Sequence, residues 1–365
     1  MTGSELYVGI MSGTSLDGID CALVDLSQVT PRLITSYYQP YQQPLKDALL
    51  VLHSSSENEL HQAQLIGQQL AHDYATATHA LLDKVGIESQ KIRAIGCHGQ
   101  TIRHRPEHHY TIQLNNPALL AELTGIDVIA DFRSRDIAAG GQGAPLVPAF
   151  HDRILRHAKT HRIILNIGGI SNLTDLSPGQ ATIGFDCGPG NLLMDAWIAR
   201  HHGVAYDRNG DWAASGKILP KLLDTLLAES FFAAPPPKSS GRDLFNMAWL
   251  EAHLQGTESP ADVQATLLGL TGQSIADAIS KYCTAPEEIW LCGGGAHNAT
   301  LVAYLKTALP ACYIAPTDRL GIDADWMEAI AFAWLARQTC HREPSNLPIV
   351  TGAAHPCILG AIYPA

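Results

Sequence analysis

The pattern of hydrophobic and polar positions predicts an alternation of strands and helices from the first residues onward. Short apolar runs rich in β-branched residues indicate three consecutive strands, at residues 6–11, 19–26 and 32–38. A polar glycine turn, SGTSLDG, separates the first two strands. Apolar residues at helical spacing then predict two helices, at residues 44–52 and 60–85. Strands followed by helices in this way are typical of an α/β domain.

Shorter elements complete the first half of the chain. Strands are expected at residues 92–97, 110–114 and 126–130, and helices at residues 117–123 and 145–157. A histidine-rich segment, HGQTIRHRPEHHY, occupies residues 98–110. It shows no pair of histidines at i, i+4 on a clear helix, which a metal site would favour, so we expect a solvated loop.

The second half repeats the pattern of the first. Three strands are predicted at residues 162–167, 173–176 and 182–185, about 155 residues beyond the first three and roughly one domain length away. Further helices and strands are predicted at residues 191–202, 217–227, 263–283, 288–292, 312–315 and 323–340. We therefore predict two domains, residues 1–145 and 146–365, with the tail after about residue 344 a candidate to pack back on the first.

The stretch at residues 163–191 carries the clearest candidate chemistry. Asp186 ends a predicted strand, and Gly188 and Gly190 follow it before a helix begins. Glycines let the backbone approach a ligand closely, and a helix N-terminus favours an anion. A carboxylate in this place suits a general base near a phosphate. Two ordinary hairpin turns and a helix cap are the alternative interpretation.

Two further glycine segments are candidate anion sites. The turn at residues 12–18 offers hydroxyls and unhindered backbone, although it lacks the GK[ST] of a Walker loop. A plain hairpin turn explains it equally well. The second segment, Gly293–Gly295, lies between a predicted strand and a predicted helix, an arrangement that favours anion binding.

Charged residues mark two more candidate positions. The segment DFRSRD, residues 131–136, follows a buried strand, and its arginines and aspartates suit an anionic or polyhydroxyl ligand. A solvated loop with internal ion pairs is the alternative. Glu328 lies in a helix that is apolar nearly all round, so it is either buried with a partner or partly exposed.

Composition narrows the class of protein. Lys and Arg total 24 against 35 Asp and Glu, and this net charge of −11 argues against nucleic acid or an anionic membrane as the main partner. Neither a membrane-spanning apolar stretch nor a secretory leader is recognisable, so we expect a cytoplasmic protein. The eight cysteines include no CxxC pair, and we interpret them as reduced and mainly structural.

Six motifs are spread over nearly the whole chain. They are MSGTSLDGIDCAL (residues 11–23), HGQT (98–101), ADFRSRDIAAGGQGAPLVP (130–148), NIGGISNLT (166–174), GFDCGPGN (184–191) and CGGGAHN (292–298). In this order they resemble the anhydro-N-acetylmuramic acid kinase family, and the duplicated three-strand unit resembles the actin-like ATPase fold. The resemblance implies two actin-like, ribonuclease H-like α/β domains, each with a mixed sheet begun by a three-strand meander. It also implies a nucleotide in the interdomain cleft, which closes on its substrates.

The resemblance also implies a reaction. Members of the family convert 1,6-anhydro-N-acetylmuramic acid, water and ATP into N-acetylmuramic acid 6-phosphate and ADP during cell-wall recycling. We therefore expect a cytoplasmic kinase that uses ATP and Mg²⁺ on a small anhydro amino sugar. The oligomeric state is not assigned, and a homodimer is one candidate. The rivals are a kinase of an ordinary open amino-sugar hydroxyl and a partner-binding ATPase of the Hsp70 or actin type.

The resemblance assigns roles to residues of the six motifs and to a few others. Asp186 corresponds to the catalytic base. The residues expected to bind ATP are Gly13, Thr14, Ser15, Leu16, Asp17, Gly18, Ile19, Asp20, Gly168, Gly169, Asn172, Gly293, Gly294 and Gly295. Those expected to bind the sugar are His98, Asn116, Arg133 and Glu328.

Two positions depart from the family pattern. Cys187 stands where the motif usually has threonine. Gly9 stands where many actin-like kinases carry an aspartate on their first strand, so the residues that organise Mg²⁺ are not assigned. The cation is then expected to be held largely through phosphates and waters.

Overall fold

A computed structural model describes residues 4–13 and 16–365. The chain forms two compact units: unit 1 comprises Met1–Ile154 and Gly321–Ala365, and unit 2 comprises Leu155–Leu320. The first segment of unit 1 ends at Ile154 rather than at the predicted residue 145, and the last long helix also belongs to unit 1. The tail after residue 344, a candidate to pack on the first domain, lies in unit 1 as well. No helix in the described part of the chain is long and apolar enough to cross a membrane.

Except for the last one, which the sequence pattern does not predict, the strands of both units follow the predicted apolar runs. They are β1 (Leu6–Ser12), β2 (Gly18–Asp25), β3 (Arg32–Pro40), β4 (Ile92–Arg105), β5 (Tyr110–Leu114), β6 (Val128–Ala130), β7 (Arg162–Ile167), β8 (Ile170–Leu176), β9 (Ile183–Pro189), β10 (Glu288–Cys292), β11 (Tyr313–Pro316) and β12 (Ala361–Tyr363).

The helices include several short ones that the sequence pattern does not predict. They are α1 (Gln43–Val51), α2 (Glu59–Asp83), α3 (Pro117–Thr124), α4 (Ser134–Ala138), α5 (Val147–Leu155), α6 (Leu192–His202), α7 (Asp211–Ser215), α8 (Pro220–Leu227), α9 (Ser230–Ala233), α10 (Met247–His253), α11 (Pro260–Tyr282), α12 (Ala299–Ala308), α13 (Met327–Cys340) and α14 (Pro348–Thr351).

In its described residues, unit 1 has a seven-stranded mixed sheet. The order is β12-β6-β4-β1-β2-β3, and β5 pairs with β4. The meander β1-β2-β3 is antiparallel, whereas β1–β4 and β4–β6 are parallel. One face of the sheet packs on α2 in a core that contains Val8, Ile10 and Tyr74. The predicted mixed sheet begun by a three-strand meander is confirmed.

Helix α13 covers the other face of this sheet. A Cβ added at Gly9 would overlap the carbonyl oxygen of Ala329, and one added at Gly96 would overlap the carbonyl oxygen of Phe332. The two glycines therefore let the helix backbone rest directly on β1 and β4. Because of this close approach, position 9 has no room for the aspartate that many actin-like kinases carry on their first strand.

Unit 2 repeats the architecture in a five-stranded sheet with the order β11-β10-β7-β8-β9. Here too the first three strands form an antiparallel meander, and β10 pairs in parallel with β7 and β11. One face packs on α6, α8 and α11 in a core that includes Leu165, Leu173 and Phe185. The second predicted mixed sheet is confirmed, and the order β9-β8-β7-β10-β11 repeats the order β3-β2-β1-β4-β6 of unit 1.

Two local predictions are wrong. The histidine-rich segment is not a solvated loop over most of its length, because β4 continues to Arg105 and His98 lies buried within it. Only the exposed turn around Pro106–His108 fits the prediction. The predicted strand ending at residue 185 also runs further, through Asp186 to Pro189.

Candidate active site

Three polar side chains form a row across the sheet of unit 2. In the strand register Asn166 on β7 faces Asn172 on β8, which in turn faces Asp186 on β9. All three are half-buried, whereas Leu165, Leu173 and Phe185 beside them point into the core. Because side chains alternate along a strand, the row lies on the sheet face opposite that core. The sheet therefore presents two amides and a carboxylate together on one face.

Backbone groups hold Asp186 in place. Its N–H donates to the carbonyl oxygen of Lys238 at 3.0 Å, and its Oδ2 accepts from the N–H of Ser240 at 2.8 Å. Burial raises the pKa of Asp186 to about 6, against the opposing effects of the Ser240 N–H and the Lys238 charge. A carboxylate with a pKa near 6 is mostly ionised at neutral pH and is still basic enough to accept a proton.

The glycine turn between β7 and β8 leaves open space. A Cβ added at Gly168 would meet no atom closer than 3.6 Å, and one at Gly169 none closer than 3.9 Å. Neither residue is among the glycines with positive φ, so neither has the left-handed backbone that favours glycine. Packing and backbone conformation within unit 2 therefore do not require glycine here, which suits close approach of a ligand.

The N-terminus of α6 is tied to this turn. The N–H groups of Gly190 and Leu192 donate to the carbonyl of Gly169, and that of Asn191 donates to the carbonyl of Gly168. The N–H of Leu192, the first residue of the helix, is thus used inside the protein and does not face an anion. The segment Gly188–Gly190, which follows Asp186, is therefore hydrogen-bonded to the glycine turn between β7 and β8.

The fold accounts for two of the three glycines after β10 but not for the third. Gly293 has a φ of +77°, and its Cβ would overlap Asn166 Oδ1, while a Cβ at Gly295 would overlap the side chain of Ile167. Gly294 alone of the three is open, with no atom closer than 3.8 Å. Folding therefore accounts for two of these glycines, and Gly294 is the one beside space for a ligand.

The glycine turn of unit 1 is only partly described. Thr14 and Ser15 lie outside the described residues. The carbonyl of Gly13 accepts from Leu16 N at 3.2 Å and from Gln100 Nε2 at 3.1 Å. Several other residues of this turn have roles in the fold. Leu16 and Ile19 are buried in the core, and a Cβ at Gly18 would overlap the carbonyl of Gln39.

Carboxylates cluster at the end of this turn. Asp17 is exposed and Asp20 is half-buried. Burial raises the pKa of Asp20 to about 7, and the neighbouring charges of Asp17, Glu328 and Asp325 add to the increase. Asp20 therefore gains and loses a proton near neutral pH in the free protein.

The buried His98 and the half-buried Arg133 form a hydrogen-bonded pair in unit 1. Arg133 Nη2 lies 2.9 Å from His98 Nε2 and its Nη1 donates to the carbonyl of Gly143 at 2.8 Å. Burial and the charge of Arg133 lower the pKa of His98 to about 3, so the imidazole is neutral and accepts from the arginine. The ring packs on Phe332, with the centroids 4.8 Å apart. His98 thus orients Arg133.

Glu328 is half-buried on α13 near this pair. Burial raises its pKa, and the charge of Arg133 opposes the increase. Burial also lowers the pKa of Arg133 to about 10, which leaves it charged at neutral pH. Three of the predicted sugar-binding residues, His98, Arg133 and Glu328, are therefore close together in unit 1.

Two other polar residues near the site have structural roles. The Oδ1 of Asn116 accepts from the N–H of Leu119 at 3.1 Å and caps α3. Asp136 is fully buried and accepts hydrogen bonds from the loop after α4 and from the C-terminal tail. Asp136 consequently does not face a ligand, and the ligand-binding interpretation of segment 131–136 no longer includes it.

Two parts of the site are not predicted from the sequence. Asn166 lies in one row with Asp186 because of strand register, which a single sequence does not reveal. The segment from Lys238 to Ser240 contacts Asp186 across 54 positions of sequence and looks only like a proline-rich loop. Three consecutive prolines before Lys238 were the one available signal of a rigid segment.

Similarity to known proteins covers the whole of the described site. A family model for anhydro-N-acetylmuramic acid kinase matches residues 5–365. Proteins of that name from Nitrosomonas europaea and Nitrosospira multiformis are 57% and 58% identical over 361 residues, covering 98% of this chain and 99% of each relative. Another, from Thiobacillus denitrificans, is 54% identical over 368 residues, covering 99% of this chain and 98% of the relative. The chain belongs to the anhydro-N-acetylmuramic acid kinase family.

Proposed function

We propose that this kinase opens the 1,6-anhydro ring of 1,6-anhydro-N-acetylmuramic acid with water and transfers the γ-phosphoryl group of ATP to O6. The products are N-acetylmuramic acid 6-phosphate and ADP. The observation that supports this proposal most directly is Asp186, a half-buried carboxylate with a pKa raised to about 6, in a row with two amides.

The chemistry of the anhydro sugar explains why a base is needed at this place. Its O6 is bonded to C1 and carries no proton, so an ordinary kinase mechanism has no hydroxyl to deprotonate. Water must attack C1 while the C1–O6 bond breaks and O6 attacks the γ-phosphorus. This joins the base half of an inverting glycosidase to an in-line phosphoryl transfer. We assign Asp186 as the base that takes the proton from water.

The sugar-binding role falls to residues of unit 1. Arg133, His98 and Glu328 offer a guanidinium, a neutral imidazole and a carboxylate of raised pKa in one place. The substrate has a lactyl carboxylate and amide and hydroxyl groups, and a fixed guanidinium suits a carboxylate. Asn116 already caps α3, and its contact with the sugar stays a prediction.

The nucleotide-binding role falls to glycine turns of both units. Gly168 and Gly169 leave open space that the fold does not need, and Asn172 follows them on β8. We assign these residues and the turn from Gly13 to Asp20 to the phosphates, and Gly294 with its neighbours to the adenosine. For the turn of unit 1 the nucleotide-binding role stays a prediction, because Leu16, Gly18 and Ile19 have roles in the fold.

Mg²⁺ normally accompanies ATP in phosphoryl transfer. Within residues 4–13 and 16–365 no group of three or more His, Cys, Asp or Glu side chains fits a metal ion. We therefore assign no protein ligand to Mg²⁺ and derive no step from it. A cytoplasmic location and a homodimer likewise stay predictions.

A coupled ATPase assay over a panel of anhydro and reducing amino sugars tests the substrate. We expect ADP formation with 1,6-anhydro-N-acetylmuramic acid and none above background with N-acetylmuramic acid. Turnover of the open sugar alone would instead support an ordinary hydroxyl kinase. Sugar-independent ATPase activity that responds to a protein would support the partner-binding rival.

Isotope labelling and one substitution test the mechanism. In ¹⁸O-water the label should appear on C1 of the product and not on the phosphate. Asp186→Asn should lose about 10²–10⁴-fold in kcat while its KM values change little, because a positioned base contributes about that much. Label on the phosphate, or near-normal turnover by the variant, would contradict the mechanism.

A further inference from the structure

A short segment binds Asp186 at the free edge of the sheet. β9 is the last strand of its sheet, so its outer backbone groups have no strand partner. Lys238 supplies a carbonyl to Asp186 N–H at 3.0 Å, and Ser240 supplies an N–H to Asp186 Oδ2 at 2.8 Å. The segment from Lys238 to Ser240 therefore fixes both the backbone and the carboxylate of the proposed base.

The side chain of Lys238 anchors this segment. Its Nζ donates to the carbonyl oxygen of Phe231 at 3.0 Å and lies 3.4 Å from that of Phe232. The ammonium also lies 4.5 Å from the ring centroid of Phe231, close enough for a cation–π contact. Phe231 belongs to the core of unit 2 and packs edge-on against the fully buried Phe245. Lys238 thus connects the segment to a rigid part of the unit.

Lys238 is on the other side of β9 from the reacting face. It lines a cavity of about 530 Å³ together with Cys187, Phe232 and Tyr282, and Asp186 is not part of that lining. Cys187 follows Asp186 in the strand and therefore points to the opposite face. The ammonium group already has carbonyl partners and acts on the base through the backbone and through its charge.

We propose that Lys238 is a positioning residue for catalysis, because its ammonium group fixes the segment whose backbone holds Asp186 in the orientation of a base. This inference depends on the proposed role of Asp186. The charge of Lys238 also opposes the rise in the pKa of Asp186 that burial causes. The titratable groups that face Lys238 or line its cavity are Asp186 and Cys187 on β9 and Asp277, Lys281 and Tyr282 on α11.

The test compares three lysine variants in steady-state assays from pH 5 to pH 9. Lys238→Met keeps most of the apolar stem and removes the ammonium, Lys238→Arg keeps the charge, and Lys281→Met is the matched control. Lys281 lines the same cavity and lies 5.0 Å over the ring of Tyr282, and no hydrogen bond joins it to the segment.

For Lys238→Met we expect a fall in kcat of up to about 10²-fold, since a small misplacement of a catalytic group costs that much. The KM values should stay within about 3-fold, as expected when only transition-state interactions are lost. The acid limb of kcat, near pH 6 in the wild type, should move to higher pH, because the loss of a cation raises the pKa of a nearby carboxylate. Lys238→Arg should recover most of the activity, and Lys281→Met should match the wild type.

Two outcomes would overturn the inference. One is a Lys238→Met variant with wild-type kcat and acid limb. The other is a loss of kcat that follows thermal unfolding while the acid limb stays in place, since that indicates a purely structural lysine. If Lys238→Met does not fold, Ser240→Pro removes the N–H donated to Asp186 and should shift the acid limb in the same direction. An active Asp186→Asn enzyme would instead refute the proposed function, so the two failures are distinguishable.

Discussion

At the scale of single residues, the two aspartates of the segment 131–136 differ in burial and in hydrogen bonding. Asp136 is fully buried and accepts from Gly143 N at 2.8 Å and from Asn346 Nδ2 and Thr351 Oγ1, both at 2.7 Å. Asp131 is exposed and accepts from a neighbouring serine hydroxyl. Since Gly143 also accepts a bond from Arg133, Asp136 supports the proposed sugar site indirectly.

We predict that Asp136→Ala destabilises the protein by at least about 3 kcal/mol, because three buried donors lose their acceptor and each costs about 1–3 kcal/mol. Asp131→Asn is the matched control and should stay within about 0.5 kcal/mol of the wild type. Asn tolerates the left-handed backbone at this position, where φ is +59°. Urea unfolding measures both. Equal stability of the two variants would show that Asp136 is not the acceptor for these groups.

At the scale of elements, strands and helices with strong apolar patterns could be predicted, whereas elements fixed by distant contacts could not. The end of β4 is polar, yet it is a strand because it pairs with β5 and because Ser12 Oγ donates to the carbonyl of Gly99 at 3.1 Å. Likewise, the sequence pattern identified Asp186 but not its partner Ser240. It also did not separate glycines that the fold requires from glycines beside open space.

The difference between glycines that the fold requires and glycines beside open space leads to two predictions for unit 2. Gly169→Ala adds a methyl group in open space, so its melting temperature should match the wild type while ATP affinity falls about 10-fold, or about 1.4 kcal/mol. Gly295→Ala should lose about 1–3 kcal/mol of stability, because its methyl group overlaps Ile167. Calorimetry of nucleotide binding and thermal unfolding separate the two effects. Normal ATP binding by Gly169→Ala would remove this turn from the nucleotide site.

At the scale of the whole molecule, the chain duplicates one topology. The order β3-β2-β1-β4-β6 in unit 1 matches β9-β8-β7-β10-β11 in unit 2. The duplication was visible in the sequence as a repeated pattern of strands and glycine turns. The extent of unit 1 was not, because α13 packs on β1 and β4 through two glycines whose purpose only the structure reveals.

A truncation tests how far unit 1 depends on the end of the chain. A chain that ends at residue 320 lacks α13 and the tail that donates to Asp136, and it leaves the apolar face of β1 and β4 uncovered. We therefore expect unit 1 to lose protection from amide exchange while unit 2 keeps it. A chain that ends at residue 360 lacks only the edge strand β12 and should keep both units protected. Full protection of unit 1 in the shorter chain would show that α13 is dispensable.

Because α13 packs on the first strands but is synthesised near the end of the chain, synthesis on the ribosome determines which unit can be completed first. Unit 2 is continuous in sequence and can complete its sheet once residue 320 has emerged, but unit 1 begins first and ends last. At about 5–20 residues per second, synthesis of the residues in between takes on the order of ten to thirty seconds. During that time β1 and β4 have no helix on one face. Exposed apolar surface of this kind favours aggregation, so the nascent first half is most exposed to it before α13 has been made.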